Sequence, residues 1–202
     1  MTPFEILTTV VIFFSAIILH EYAHGWVAYR LGDTTAKLAG RLTLNPFKHV
    51  DPVGTLLLPA ILFITKSPVL FGWAKPVPVN FLKLRHPKQG IIWVGLAGPA
   101  INVILAVCFS LLLSLDLSAS SRQFAELGVM VNLILAVFNM IPIPPLDGSR
   151  LVMGLLPSKY AYLYSRLEPY GIIIVFLLLY TGVINQIVWP VVETLAHFLG
   201  VS

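Results

Sequence analysis

Long apolar runs separated by short, mostly basic links set the plan of this chain. The first run, residues 4–19 (FEILTTVVIFFSAIIL), carries one charge, Glu5, and flows into His20-Glu21-Tyr22-Ala23-His24 without a turn former. Pro3 suits the first turn of a helix. A helix from there to about Gly32 would be roughly 43 Å long, enough to cross the ~30 Å apolar layer of a bilayer. The polar link Arg30 to Asp51 follows, and within it Lys37-Leu-Ala-Gly-Arg-Leu-Thr-Leu alternates weakly, as a short strand would. Pro52 to Thr65 is uncharged but only about 14 residues long and is interrupted by Gly54 and Pro59, which predicts a re-entrant segment and not a crossing. In the basic link from Lys66 to Lys88, Gly72-Trp-Ala-Lys-Pro-Val-Pro-Val-Asn80 is too rich in proline for a helix and reads as an extended, interfacial piece.

The later runs follow the same logic. Between Lys88 and Asp116 lie about 27 uncharged residues, a clear transmembrane helix that includes Gly95, Gly98, Pro99 and Asn102. The Ser-rich link Asp116 to Glu126 leads to a second span, Leu127 to about Ile141, which runs into the proline-dense stretch Asn139-Met-Ile-Pro142-Ile-Pro144-Pro145-Leu-Asp147-Gly148. Arg150 to Glu168 predicts a basic, partly amphipathic helix. Pro169 to Val192 is a last apolar stretch of about 24 residues, in which Asn185, Gln186 and Pro190 allow either one span or a broken one.

Composition agrees with this pattern: 57% of the 202 residues are hydrophobic and 11% charged, with a mean hydropathy of +0.88. The expected fold is an all-α polytopic membrane protein of one domain, residues 1–202, with about four to six transmembrane or re-entrant helices and a small strand-like element near the active site. The lipid bilayer is then its first partner. A net charge of +4, carried on the links, is an orientation signal and not a nucleic-acid footprint. The links with most Lys and Arg are expected on the cytoplasmic side, which puts the N-terminus outside. Met1 to Glu5 lacks a basic start, and no small-residue cleavage site follows the apolar run, so the first segment reads as a retained helix and not as a secretory signal. The single cysteine, Cys108, excludes an internal disulfide and a Cys-rich zinc site.

The chemistry gathers around HEYAH. On a helix His20 and His24 are one turn apart, about 40° around the axis, so both rings can reach one ion, with the Glu21 carboxylate close by. Two imidazoles and a carboxylate that can take a proton from a metal-polarised water are the parts of a zinc hydrolase. Such groups are costly inside a bilayer unless they pair or bind something. A third ligand is needed, and Asp147 lies at membrane depth where the prolines break the backbone. Asp33, His49, Asp51, His86, Glu126, Glu168 and His197 lack that setting. Taken alone, Pro-x-Asp-Gly is also an ordinary turn. Asn45 to Pro52 reads as a capped loop leading into the next helix. Asn102 reads either as a contact between helices or as a group facing substrate.

HEYAH near a helix end, GPAIN in a later span and NMIPIPPLDG after it together resemble the site-2 protease family of intramembrane zinc metalloproteases. The resemblance implies one Zn2+ per chain held by His20, His24 and Asp147, with Glu21 as general base. It further implies that Asn139, and less directly Asn102, hold the substrate strand. LNPFKHVDP and GWAKPVPVN are similar to the compact bacterial branch, without PDZ or CBS modules, in the cell membrane. The implied substrate is a transmembrane protein whose helix unwinds, and its strand would pair near Leu38 to Leu44 or Val77 to Phe81. Two other classes would also place such groups in a membrane, a zinc-binding membrane scaffold and a metal transporter. An intact Glu21 argues against the first, and the lack of further ionisable groups along the spans argues against the second.

Overall fold

The computed structural model describes residues 3–67 and 72–201; of the stretch Met1 to Glu5 read above, Met1 and Thr2 lie outside the described residues. The longest helix, α1, runs over Pro3–Arg30 and is followed by the single turn α2, Thr35–Leu38. A π-helical turn over Pro52–Leu57 continues into α3, Leu58–Ile64. Two long helices come next, α4 (Pro87–Leu113) and α5 (Ala119–Asn139). The chain closes with α6 (Asp147–Leu155), α7 (Ser158–Ser165), α8 (Gly171–Tyr180) and α9 (Val183–Phe198).

Among the described residues four segments are long and apolar enough to cross a membrane: Leu7–Arg30, Pro87–Leu113, Ala119–Asn139 and Ser158–Tyr180. No more than 33% of any of them is buried inside the protein, so most of their apolar surface faces outward. Surface of that kind is stable in lipid and not in water. The protein is an all-α integral membrane protein.

Helix α4 is the central element and packs on α1, α5 and α6. Its residues meet α1 in reverse order, His24 against Val94 and Ala16 against Asn102, so the two helices are antiparallel. The α4–α5 pair is antiparallel too, Asn102 meeting Asn132 and Phe109 meeting Phe124. Consecutive antiparallel spans leave no room for a net crossing between α1 and α4. The Pro52–Ile64 segment, too short to span, therefore returns to the side it left. A second apolar cluster joins Val129 and Leu133 of α5 with Val175 of α8 and Ile184, Val188 and Val192 of α9.

Several boundaries differ from expectation for local reasons. The expected strand at Lys37 to Leu44 is not formed: its first residues complete α2, and Gly40, at φ 62°, ends that turn. Gly40 N–H donates to the Lys37 carbonyl oxygen and Arg41 N–H to that of Ala36, the paired bonds of a Schellman stop, so glycine chemistry overrode a weak alternation. Among the described residues, 72–80 enter no helix and no strand ladder, and Phe81–Lys83 is a 3₁₀ turn capped by the Asn80 side chain. The expected strand-like element near the site is not formed among the described residues. Helix α5 starts at Ala119 and not at Leu127, because Ser118 caps it and Arg122 and Glu126 pair one turn apart on its exposed face. The single helix expected over Arg150 to Glu168 is split, since Pro157 forces Leu156 into an extended backbone, ψ 148°. The last apolar stretch is broken at Gly182, φ 78°, while Pro190 sits inside α9.

Candidate metal centre

The centre lies where α1, α4 and the start of α6 meet. Three prolines, Pro142, Pro144 and Pro145, end the helical path after α5, and the chain turns back through tight bonds from Ile143 N–H to Ile141 and from Leu146 N–H to Ile143. This loop is braced from outside by the Tyr164 hydroxyl, which donates to the Pro142 carbonyl oxygen at 2.7 Å. Asp147 then opens α6, where the helix N-terminus favours a carboxylate. Gly148 must be glycine for that approach. A Cβ there would meet the Met140 carbonyl oxygen at 2.1 Å.

Asp147 Oδ2 lies 3.0 Å from His20 Nε2 and 3.2 Å from His24 Nε2, and the two nitrogens are 3.0 Å apart. Ligands of a tetrahedral zinc ion with bonds of about 2.0–2.1 Å stand roughly 3.3 Å apart, so the three atoms need to move very little to hold one. Among the described residues no other group of three or more His, Cys, Asp or Glu converges in this way. Gly98 of α4 forms the wall behind the rings. A Cβ on it would stand 2.4 Å from His24 Nε2 and 2.5 Å from His20 Nε2.

The outer nitrogens decide which way the lone pairs face. His24 Nδ1 is 2.7 Å from the Val94 carbonyl oxygen, an acceptor only, so Nδ1 carries the hydrogen. His20 Nδ1 is 2.5 Å from Asn102 Oδ1. That amide is itself oriented by carbonyls: Asn102 Nδ2 donates to Ala16 at 3.3 Å and to Asn132 Oδ1 at 2.9 Å, and Asn132 Nδ2 donates to the Gly128 carbonyl oxygen at 2.8 Å. In the neutral rings that bind metal, both Nε2 lone pairs therefore point at Asp147 Oδ2, a buried oxygen without a hydrogen-bond donor of its own. Three electron-rich atoms facing one another repel unless a cation stands among them, and two imidazoles with a carboxylate are a zinc donor set.

Glu21 is half-buried on the next position of α1, and its Oε2 accepts a hydrogen bond from Val77 N–H at 2.8 Å. Asn102 is fully buried with its amide spent on His20, Ala16 and Asn132, which makes it a contact between helices and an orienter of His20. Asn139 is half-buried near the end of α5, its Nδ2 donating to Leu135 of its own helix at 2.9 Å. The competing acids and histidines have other work. Asp33 accepts from Thr35 and from Asn80 N–H, Asp51 caps the Pro52–Leu57 turn, and His49 Nε2 lies 2.8 Å from the Thr43 carbonyl oxygen. Glu126 and Glu168 are paired with Arg122 and Arg150, while His86 and His197 lie exposed at helix ends.

Sequence reasoning missed Asn132 and the bond from Val77 N–H to Glu21. Asn132 carried a signal, an amide in the middle of an apolar span, but nothing in the sequence tied it to Asn102. Val77 acts through its backbone, on which side-chain chemistry is silent.

The sequence profile of Peptidase family M50 matches residues 116–181, from the link before α5 to just past α8, Asp147 included. The chain is 37% identical to "Putative zinc metalloprotease YwhC" of Bacillus subtilis (strain 168), over 96% of this chain and 87% of that protein. It is 30% identical to "Putative zinc metalloprotease Rip2" of Mycolicibacterium smegmatis, over 93% of this chain and 72% of that one. With "Zinc metalloprotease MJ0392" of Methanocaldococcus jannaschii it shares 26% identity over 77% of this chain and 36% of the other. No solved structure matches this chain.

Proposed function

This chain belongs to peptidase family M50, the site-2 protease family of intramembrane zinc metalloproteases, and on that premise we propose that it cleaves a transmembrane segment of a membrane-protein substrate. His20, His24 and Asp147 hold one zinc ion in this reading, and Glu21 is the general base. The observation that supports it best is the convergence of His20 Nε2, His24 Nε2 and Asp147 Oδ2 to within 3.2 Å of one another beside that carboxylate.

Held by His20, His24 and Asp147, a zinc ion would supply a Lewis acid that polarises an oxygen brought to it and eases the deprotonation of water near neutral pH. Glu21 takes the proton of the attacking water and returns it to the leaving amine. A peptide bond inside a helix has its carbonyl already hydrogen-bonded and enclosed, so the substrate must unwind beside the site before it can react. In this reading Asn139, half-buried near the end of α5, holds the unwound strand. Asn102 serves the metal side of the reaction through His20. In the proposed orientation the basic links face the cytoplasm of a bacterial cell, the N-terminus lies outside, and water reaches the site from the cytoplasmic face.

In Glu21→Gln we expect zinc content near one per chain and cleavage reduced by about 10²–10⁴, the usual worth of a general base. In Asp147→Ala we expect zinc and cleavage to be lost together, whereas Asp51→Ala keeps its zinc. Zinc analysis of the purified proteins beside cleavage of a single-pass membrane protein reads both. Turnover retained by Glu21→Gln, or tight stoichiometric zinc in Asp147→Ala, contradicts the assignment.

A further inference from the structure

The extended segment 72–80 is fastened along its length by groups that come from elsewhere in the chain. Near its start, Trp73 N–H donates to the Gly54 carbonyl oxygen at 3.1 Å, and the Thr55 hydroxyl donates to that of Trp73 at 2.8 Å. Lys75 N–H donates to His49 at 2.9 Å, and the Arg41 guanidinium donates to the Lys75 carbonyl oxygen at 2.8 Å. At its end, Asn80 N–H donates to Asp33 Oδ2 at 2.6 Å. Both Arg41 and Asp33 are buried, so these anchors are shielded from water.

Between the anchors at Lys75 and Asn80 the sequence is Pro76-Val77-Pro78-Val79, and its first three residues place two prolines around the one valine that faces Glu21. Prolines have no N–H and hold an extended backbone, so these three offer a single donor on a stiff support. That donor is Val77 N–H, and it is spent on Glu21 Oε2 at 2.8 Å. The Val77 side chain lies against α1. It is 7% exposed and seats over Gly25, where a Cβ would stand 2.8 Å from Val77 Cγ1.

The geometry points to Val77 as a positioning residue for the hydrolytic reaction: its backbone N–H holds the Glu21 carboxylate in the pose from which the other oxygen meets the attacking water. Pro76 and Pro78 stiffen the donor, and Asp33 and Arg41 set where it stands. A carboxylate on a helix surface otherwise samples several rotamers, and a misplacement of about 1 Å in a reacting group can cost on the order of 10²-fold in rate. The inference rests on Glu21 being the base, as proposed above.

The test compares wild type, Val77→Pro, Val77→Ala and Glu21→Gln in detergent, measuring zinc per chain and kcat and KM on a single-pass membrane protein that the wild type cleaves. Val77→Pro removes the donor from a backbone already extended, and Val77→Ala keeps it while trimming the side chain. We expect Val77→Pro to retain zinc and lose about 10²-fold in kcat with KM little changed, and Val77→Ala to stay within a few-fold of wild type. Wild-type kcat in Val77→Pro beside an inactive Glu21→Gln overturns the inference and leaves the base in place. An active Glu21→Gln overturns the base assignment instead. Loss of zinc from Val77→Pro, a rise confined to KM, or an equal loss in Val77→Ala each overturns the inference as well, since each gives the segment a different task.

Discussion

At the scale of single residues, two buried amides fix how His20 is presented to the proposed metal site. Asn102 accepts from His20 Nδ1 and passes the constraint to Asn132, so the ring can neither rotate nor move its hydrogen to the metal side without orphaning a buried polar group. Groups that orient a ligand in this way typically contribute 10- to 100-fold in metal affinity. For Asn102→Ala we therefore expect zinc affinity to fall by about that factor, measured by competition with a chromogenic chelator. Asn132→Ala should show a smaller loss, because Asn102 would keep both His20 and Ala16. Unchanged affinity in Asn102→Ala would mean that the His20 ring is held by packing alone.

Among the elements, α4 does most to assemble the centre, and it does so with glycine. Gly95 admits α6, since a Cβ there would meet Arg150 Cβ at 2.7 Å, and Gly98 admits the two imidazoles of α1. Asn102, one turn further, reaches His20, so GPAIN encodes a gap for the two imidazoles followed by an orienter for one of them. Alanine at position 98 would ordinarily favour a helix by about 1 kcal/mol. Here its Cβ would press within 2.5 Å of both Nε2 atoms. We expect Gly98→Ala to keep its helical circular dichroism and lose most of its zinc. Full zinc occupancy in that variant would show that α4 does not back the rings as closely as the structure places it.

For the whole molecule, the antiparallel order of α1, α4 and α5 brings the end of α1, the first half of α4 and the end of α5 to one side of the membrane. Asp147 can join the histidines because of that order; one extra crossing before α4 would carry it to the opposite face. In a Cys108→Ser background, cysteines placed at Lys37, Lys83 and Lys159 should all react with a membrane-impermeant thiol reagent from one face, the cytoplasmic one in the proposed orientation. A cysteine at Ser120 should react from the other. Labelling of the Lys83 position from the face that labels Ser120 would mean that Pro52–Ile64 spans, and the route of Asp147 to the site would have to be redrawn.

The sequence by itself determined the first three spans, the break after α5 and the shared face of two histidines, because each is local: run length sets whether a helix crosses, consecutive prolines end one, and a spacing of four puts two histidines on one face. It also limited Pro52 to Thr65 to a short, returning segment. The fourth apolar segment, Ser158–Tyr180, begins within the helix expected to be basic and ends before Val192. The Schellman stop at Gly40 and the split at Pro157 were written locally too, but a faint alternation and a basic pattern concealed them. Tertiary structure alone decided that Asn102 meets His20, that Asn132 stands behind it, and that a backbone N–H from residue 77 meets a carboxylate 56 positions earlier. Such pairings depend on how helices are rotated against one another and on where an extended segment is fastened, and neither leaves a period in the sequence.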